Sequence, residues 1–504
     1  MQSPRSSTIL YILPSVVGGY LLIYFLAGER VTYNGGLGFD GYLYGHLAAD
    51  FPAVLARKIP EYYLDRILPS LVVWFSAAIL HFPLSDTDRI VKAFHIYNSI
   101  LLVGAAFAWA RLSRTLRLST EAAILGSACL FLNWTITKQY LYFSVQTDTT
   151  AFALGVCAAL CLIERRYLLL TVIAVATSFA FKAVLPMVAL LIVFPVPVAE
   201  RPSSRFEAWP CIMAAVVACA AVLYITLWSG FSLRAGAAQV DLVTLPLSIV
   251  ILATYVYYVA RSTPVFGILA CYRVGPTEQI GLLLGLWALR AILLAVLFRL
   301  FANDAGVLDL ETFVMGTFAL SVAKPGIFII AYVVTFGPAF ILVLLHLRRV
   351  MEAAAAHSAG AVLFLIVTLA MAIGETRAMT FAYPFLVTFL CIALQNAGVE
   401  RRFVIVFLAI SILLSRFYLP LNALGMGALG PGPLTDIGDL LKFPWQWFFM
   451  NNGPYMAWLG YAVNLALVIL AGVTLISGRS CRAAHQSQPC CSRTSSHRSL
   501  GQNK

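Results

Sequence analysis

Residues 8–28 read TILYILPSVVGGYLLIYFLAG, and residues 38–50, shortly after, read GFDGYLYGHLAAD. The first stretch is apolar throughout and long enough to cross the ~30 Å hydrocarbon core of a bilayer as a helix. It is too long for a signal-peptide core and no small-residue cleavage site follows it, so it reads as a retained anchor. The second stretch sets an acidic residue, Asp40, between glycines and ahead of a helix-like aromatic run. Its meaning depends on the side of the membrane it faces.

The whole chain follows the first stretch. Hydrophobic residues make up 61% of the 504 and charged ones 11%, against roughly 45–50% and about 25% in soluble domains. This composition predicts an all-α polytopic membrane protein, with the bilayer in place of a soluble core. The net charge of +12 does not point to nucleic acid, because Lys and Arg sit in short clusters beside the apolar spans; that pattern reports topology. Seven of the ten cysteines fall in apolar segments and three in the tail, so no disulfide framework is implied.

Hydropathy and the positive-inside rule together predict about fourteen spans, near 8–28, 90–110, 121–136, 148–163, 167–181, 183–198, 209–229, 244–260, 280–300, 326–347, 359–374, 382–398, 403–415 and 455–477. The amino terminus, with Arg5, is then cytoplasmic. So are Arg111, Arg114 and Arg117, the pairs Arg165–Arg166, Arg348–Arg349 and Arg401–Arg402, and the basic tail at 479–504. This path requires ILPSLVVWFSAAIL, at 67–80, to lie along the outer interface rather than to cross. The outer regions that bear on function are then 29–89, 137–147, the turn at Lys182, the turn GETRAMTFAYP at 374–384, and 416–454, where PWQWFFM suits the headgroup level. A loop as long as 29–89 implies helices of its own or a function.

Two readings of Asp40 stand together. It precedes a short helix with Tyr44, Leu47 and Ala48 on the apolar side, where an Asp caps well. It is also a carboxylate held among glycines that allow close approach of backbone or substrate, able to act as a general base toward a hydroxyl. Asp148 opens a span and is equally a cap candidate. Lys182, Arg377, Lys138 and Arg66 are the outer cations, each open to the plainer reading of a headgroup anchor or an ion pair, for Arg377 with Glu375. His46 and Asp50 follow Asp40 closely, although a helix turns them to other faces. Arg290 lies in mid-span, where a charge is costly. GMGALG, at 425–430, lacks the preceding strand of a dinucleotide fingerprint. The tail's Cys481, His485, Cys490, Cys491 and His497 fit no zinc spacing. Asn133-Trp134-Thr135 is a glycosylation sequon inside an apolar span, and is expected to stay unmodified.

FDGYLYGHLAAD, placed just after a first span, resembles the first extracytoplasmic loop of the GT-C superfamily of integral membrane glycosyltransferases. DRILPSLVVW (65–74), SVQTDTTAFALG (144–155), SFAFKAVLPM (178–187) and GETRAMTFAYPFLV (374–387) resemble further stretches of that superfamily, in the expected order. The resemblance implies a GT-C-like bundle of about 12–14 transmembrane helices over 1–478, with interfacial helices in the 29–89 loop. Asp40 would be the catalytic base, and Lys182, Arg377, Asp148, Arg66, Glu375 and His46 would contact substrate. The donor would be a polyprenyl-phosphate sugar, as in mannosyl- and arabinosyltransferases. The acceptor would be a lipid, glycan or protein of the cell envelope, and transfer would invert the anomeric carbon. No acidic residue stands two positions from Asp40, which puts in doubt the metal requirement that such pairs carry in some relatives; a divalent metal stays open as a cofactor. Loop economy favours a bacterial inner membrane with the site facing the periplasm. The rivals are a transporter or flippase, which would more often show inverted repeats and midplane polar groups, and a non-catalytic scaffold.

Overall fold

The computed structural model describes residues 5–31, 33–38, 40–181, 208–228, 243–263, 277–303, 319, 321–357, 363, 366–368, 376–421, 456 and 458–478. The chain is mostly helical. In order, the helices are α1 (Arg5–Ala27), α2 (Gly41–Ala49), α3 (Phe51–Ala56), α4 (Glu61–Leu64), α5 (Leu68–Ile79), α6 (Thr87–Thr115), α7 (Thr120–Phe131), α8 (Tyr140–Tyr142), α9 (Asp148–Ile163) and α10 (Tyr167–Ser178). Then come α11 (Ala208–Leu223), α12 (Leu245–Ser262), α13 (Thr277–Phe301), α14 (Ile327–Phe336), α15 (Ala339–Leu345), α16 (Leu347–Ala356), α17 (Tyr383–Ala397), α18 (Arg401–Ser415) and α19 (Trp458–Ser477). Among the described residues the strands are β1 (Ile59–Pro60) and β2 (Ala302–Asn303), paired in parallel.

Among the described residues, four helices are long and apolar enough to cross a membrane: Thr87–Thr115, Leu245–Ser262, Leu284–Phe301 and Trp458–Ser477. Other apolar helices are shorter, and two of the expected spans are broken for local reasons. In 121–136 the helix stops at Phe131, because Asn133 folds its amide back on the carbonyls of Cys129 and Leu130 and accepts from the Ile136 amide. That leaves a π-turn at Thr135–Gln139. The same bonds bury Asn133 of the sequon. In 326–347 the break is Gly337, at φ 72°, followed by Pro338; neither continues a helix. The expected span at 183–198 and the basic tail lie outside the described residues.

Small residues build the centre. α9 carries Ala151, Ala153, Gly155, Ala158 and Ala159 on its buried faces, and in lipid such residues let helices approach closely enough for dispersion to hold them. A Cβ on Gly155 would stand 2.4 Å from the Phe381 carbonyl oxygen, so this glycine brings the segment before α17 against α9. On the outside, Leu22, Ile23, Ile292 and Ile469 are all more than half exposed, as side chains facing acyl chains are.

The bundle has two chemically distinct ends. At one, Arg111 forks onto Glu164 (2.6 and 2.9 Å), Arg166 joins the same carboxylate at 2.8 Å, and Gln395 accepts from the Ser119 amide at 2.8 Å. These are segments expected on the cytoplasmic side. At the other end the 29–89 segment, made of α2–α5, gathers the segments expected outside. Val31 donates to the Tyr142 carbonyl (3.1 Å), Leu68 to that of Phe179 (3.0 Å), β1 pairs with β2, and Leu421 donates to Glu29 (2.8 Å).

Candidate functional site

Two glycines seat Asp40. Gly38 has φ 76°, and a Cβ there would stand 3.1 Å from the Phe143 ring; a Cβ on Gly41 would stand 2.6 Å from the Val145 carbonyl oxygen. Gly38 and Gly41 therefore lie against the strip that leads into Asp148. Gly41→Ala must push these backbones apart, at an expected cost of about 1–3 kcal/mol. Thermal melting in detergent measures it, and an unchanged midpoint would mean that Gly41 and Val145 are not in contact.

Tyr44, Leu47 and Ala48 are buried, as the helical pattern predicts. Asp40 is in the N-cap position of α2 but has helical φ/ψ and makes no side-chain cap bond. Its Oδ2 instead accepts from the Tyr62 hydroxyl at 3.1 Å, and that hydroxyl accepts from Arg66 Nη1 at 2.7 Å. The Arg66 guanidinium lies 4.1 Å from the Tyr62 ring centre and 4.5 Å from that of Phe181. Such double stacking fixes a cation in place.

Asp148 does not act as an N-cap; it is fully buried in the first turn of α9 and takes a two-pronged ion pair from Arg377, both bonds 2.9 Å. Arg377 rides on a one-turn 3-10 helix, Thr376–Met379. Thr376 meets Thr335 at 2.8 Å, and Thr380 accepts from Tyr140 at 3.1 Å, so the turn is held on both sides. The charges of Asp148 and Arg377 both act on Arg66. Four of the expected site residues, Asp40, Arg66, Asp148 and Arg377, therefore stand at one end of the bundle.

Burial works to lower the Arg66 pKa and the Arg377 charge adds to that, while the Asp148 carboxylate is among the groups that oppose them, and the guanidinium ends above its usual value. Burial pushes the Tyr44 phenol well above its ordinary value and raises that of Tyr63, with the Asp40 charge adding to both. Tyr44 and Tyr63 therefore remain protonated. Tyr44 Oη, Arg66 Nε, Gln146 Oε1, Thr147 Oγ1 and Thr149 Oγ1 are buried without a hydrogen-bond partner.

His46 packs edge-on against Tyr42, ring centres 4.5 Å apart. Asp50 caps α3 through the Ala53 amide. Lys138 is spent on Glu29, at 2.6 Å. Lys182 and Glu375 lie outside the described residues, as does GMGALG. Asp86-Thr87-Asp88, the acid-x-acid triplet within 29–89, starts α6: Asp86 caps it, and Asp88 pairs with Arg30 and Lys92. Among the described residues no three His, Cys, Asp or Glu side chains come together as a metal site.

Sequence reading missed Tyr62 and Glu29. For Tyr62 a signal was present, since Tyr62 and Arg66 are four residues apart in EYYLDR, the spacing at which side chains meet across a helical turn. Compared with protein-family models, curated proteins and solved structures, the chain has no match.

Proposed function

We propose that the chain is a GT-C-like membrane glycosyltransferase, a bundle of about 12–14 transmembrane helices that moves a sugar from a polyprenyl-phosphate donor to a lipid, glycan or protein acceptor at the outer face. One observation carries the reading: Asp40 is partly exposed, and among the described residues one of its oxygens is held by Tyr62 while the other takes no hydrogen bond. A general base needs that arrangement, one edge oriented by a neighbour and the other offered to substrate.

In the reaction the acceptor hydroxyl gives its proton to Asp40 while its oxygen bonds to the anomeric carbon. The bond from that carbon to the phosphate oxygen breaks, and the lipid phosphate leaves with the electron pair. A single displacement of this kind inverts the carbon. Arg66, fixed between Tyr62 and Phe181, offers positive charge where the leaving phosphate gains negative charge. The Asp148–Arg377 pair supports the wall beside it, and Lys182 is proposed as a further cation.

The test is to incubate membranes containing the chain with radiolabelled polyprenyl-phosphate hexoses and pentoses. Label is expected to pass from the lipid to an acceptor only where the chain is present. Label that crosses the bilayer without leaving its carrier would replace this reading with that of a flippase.

A further inference from the structure

α11 and α12 pack side by side and leave an open groove of about 590 Å³ between them. Ala215, Cys219 and Ala220 of α11 and Ala253 and Thr254 of α12 make it hollow, their side chains being too short to fill the space. The lining runs along α11 from Ile212 to Leu223, eleven residues or ~16 Å of axis at 1.5 Å per residue. That is about the depth of one leaflet, half of a ~30 Å hydrocarbon core. The polar atoms of the wall are spent on helix carbonyls: Thr254 Oγ1 donates to Val250 at 2.8 Å and Cys219 Sγ to Ile249 at 3.8 Å. What the groove presents is hydrocarbon.

A cation stands beside it. Arg261 is exposed, donates from Nη1 to the Tyr257 hydroxyl at 2.7 Å and lies 5.9 Å from the Tyr257 ring centre. Tyr257 itself lines the groove, so one side chain joins the apolar wall to the guanidinium. The Arg261 charge also acts on Cys211, in the first turn of α11. Among the described residues no carboxylate pairs with Arg261, which leaves its other nitrogens to the surroundings. Tyr258 donates to the Leu344 carbonyl at 2.6 Å. This end of α12 therefore lies beside the segment that leads into Arg348 and Arg349, the pair expected in the cytoplasm.

We infer that the groove between α11 and α12 binds an acyl chain of an anionic phospholipid from the cytoplasmic leaflet, and that Arg261 holds its headgroup phosphate. Contact along the chain gives affinity, and the guanidinium gives the choice of headgroup. The lipid is a resident of the bilayer and takes no part in the proposed transfer: Arg261 belongs with the segments expected in the cytoplasm and Asp40 with those expected outside. The inference does not rest on the glycosyl-transfer reading.

The test is native mass spectrometry of the detergent-purified full chain with phosphatidylglycerol and phosphatidylcholine of identical acyl chains. Wild type is expected to hold phosphatidylglycerol about tenfold more tightly than phosphatidylcholine, and Arg261→Gln to bring the two level. Ala220→Phe sets a ring into the groove from an exposed position and is expected to weaken both lipids. Equal binding of phosphatidylglycerol by wild type and both variants would overturn the inference. So would a loss in Ala220→Phe without any dependence on headgroup or on Arg261, because the groove would then take any hydrocarbon chain.

Discussion

Arg377→Gln is expected to destabilise the protein by about 3–5 kcal/mol, the cost of leaving a buried charge without its partner. Asp148 is fully buried and Arg377 reaches it with two bonds, so nothing as good replaces the guanidinium fork. Adding Asp148→Asn removes the stranded charge, and the double variant should regain a large part of the loss. Detergent melting curves of the two variants, with wild type alongside, measure both effects. A loss under about 1 kcal/mol, as at an exposed pair, would mean that Asp148 is not sealed as described.

Local pattern made part of this legible. The spacing of Tyr44, Leu47 and Ala48 marked the buried face of α2, and the glycines about Asp40 marked a close approach, which turned out to be against Phe143 and Val145. The basic clusters sorted the segments into two groups, and contacts form within each: Arg111 with Glu164 and Ser119 with Gln395 in one, Val31 with Tyr142, Leu68 with Phe179 and Asp148 with Arg377 in the other. What local pattern could not supply was long-range pairing: Asp148 and Arg377 are 229 residues apart, and Asp40 and Tyr62 are 22. Both Asp40 and Asp148 read as helix caps by sequence, and neither caps, because a stronger donor reaches each of them from another segment. The breaks at Asn133 and Gly337 were hidden inside apolar runs, since hydropathy averages over the one side chain or the one positive φ that ends a helix.

Asp40→Asn carries the other large effect. Asparagine keeps the size of the side chain and an oxygen for the Tyr62 hydroxyl, and Asp40 is seated by Gly38 and Gly41 rather than by a cap bond, so the variant should fold as before. The amide has no basicity. A positioned base contributes roughly 10²- to 10⁴-fold, and each tenfold is about 1.4 kcal/mol of barrier, so the loss should fall on kcat with donor binding little changed. Tyr62→Phe would reduce the rate less, because it frees the carboxylate without removing it. The most direct measurement is a single-turnover assay with purified wild type and Asp40→Asn, saturated with a labelled polyprenyl-phosphate sugar and an acceptor. The account predicts equal donor occupancy and transfer slowed by roughly 10²-fold or more in the variant; transfer at the wild-type rate would contradict it.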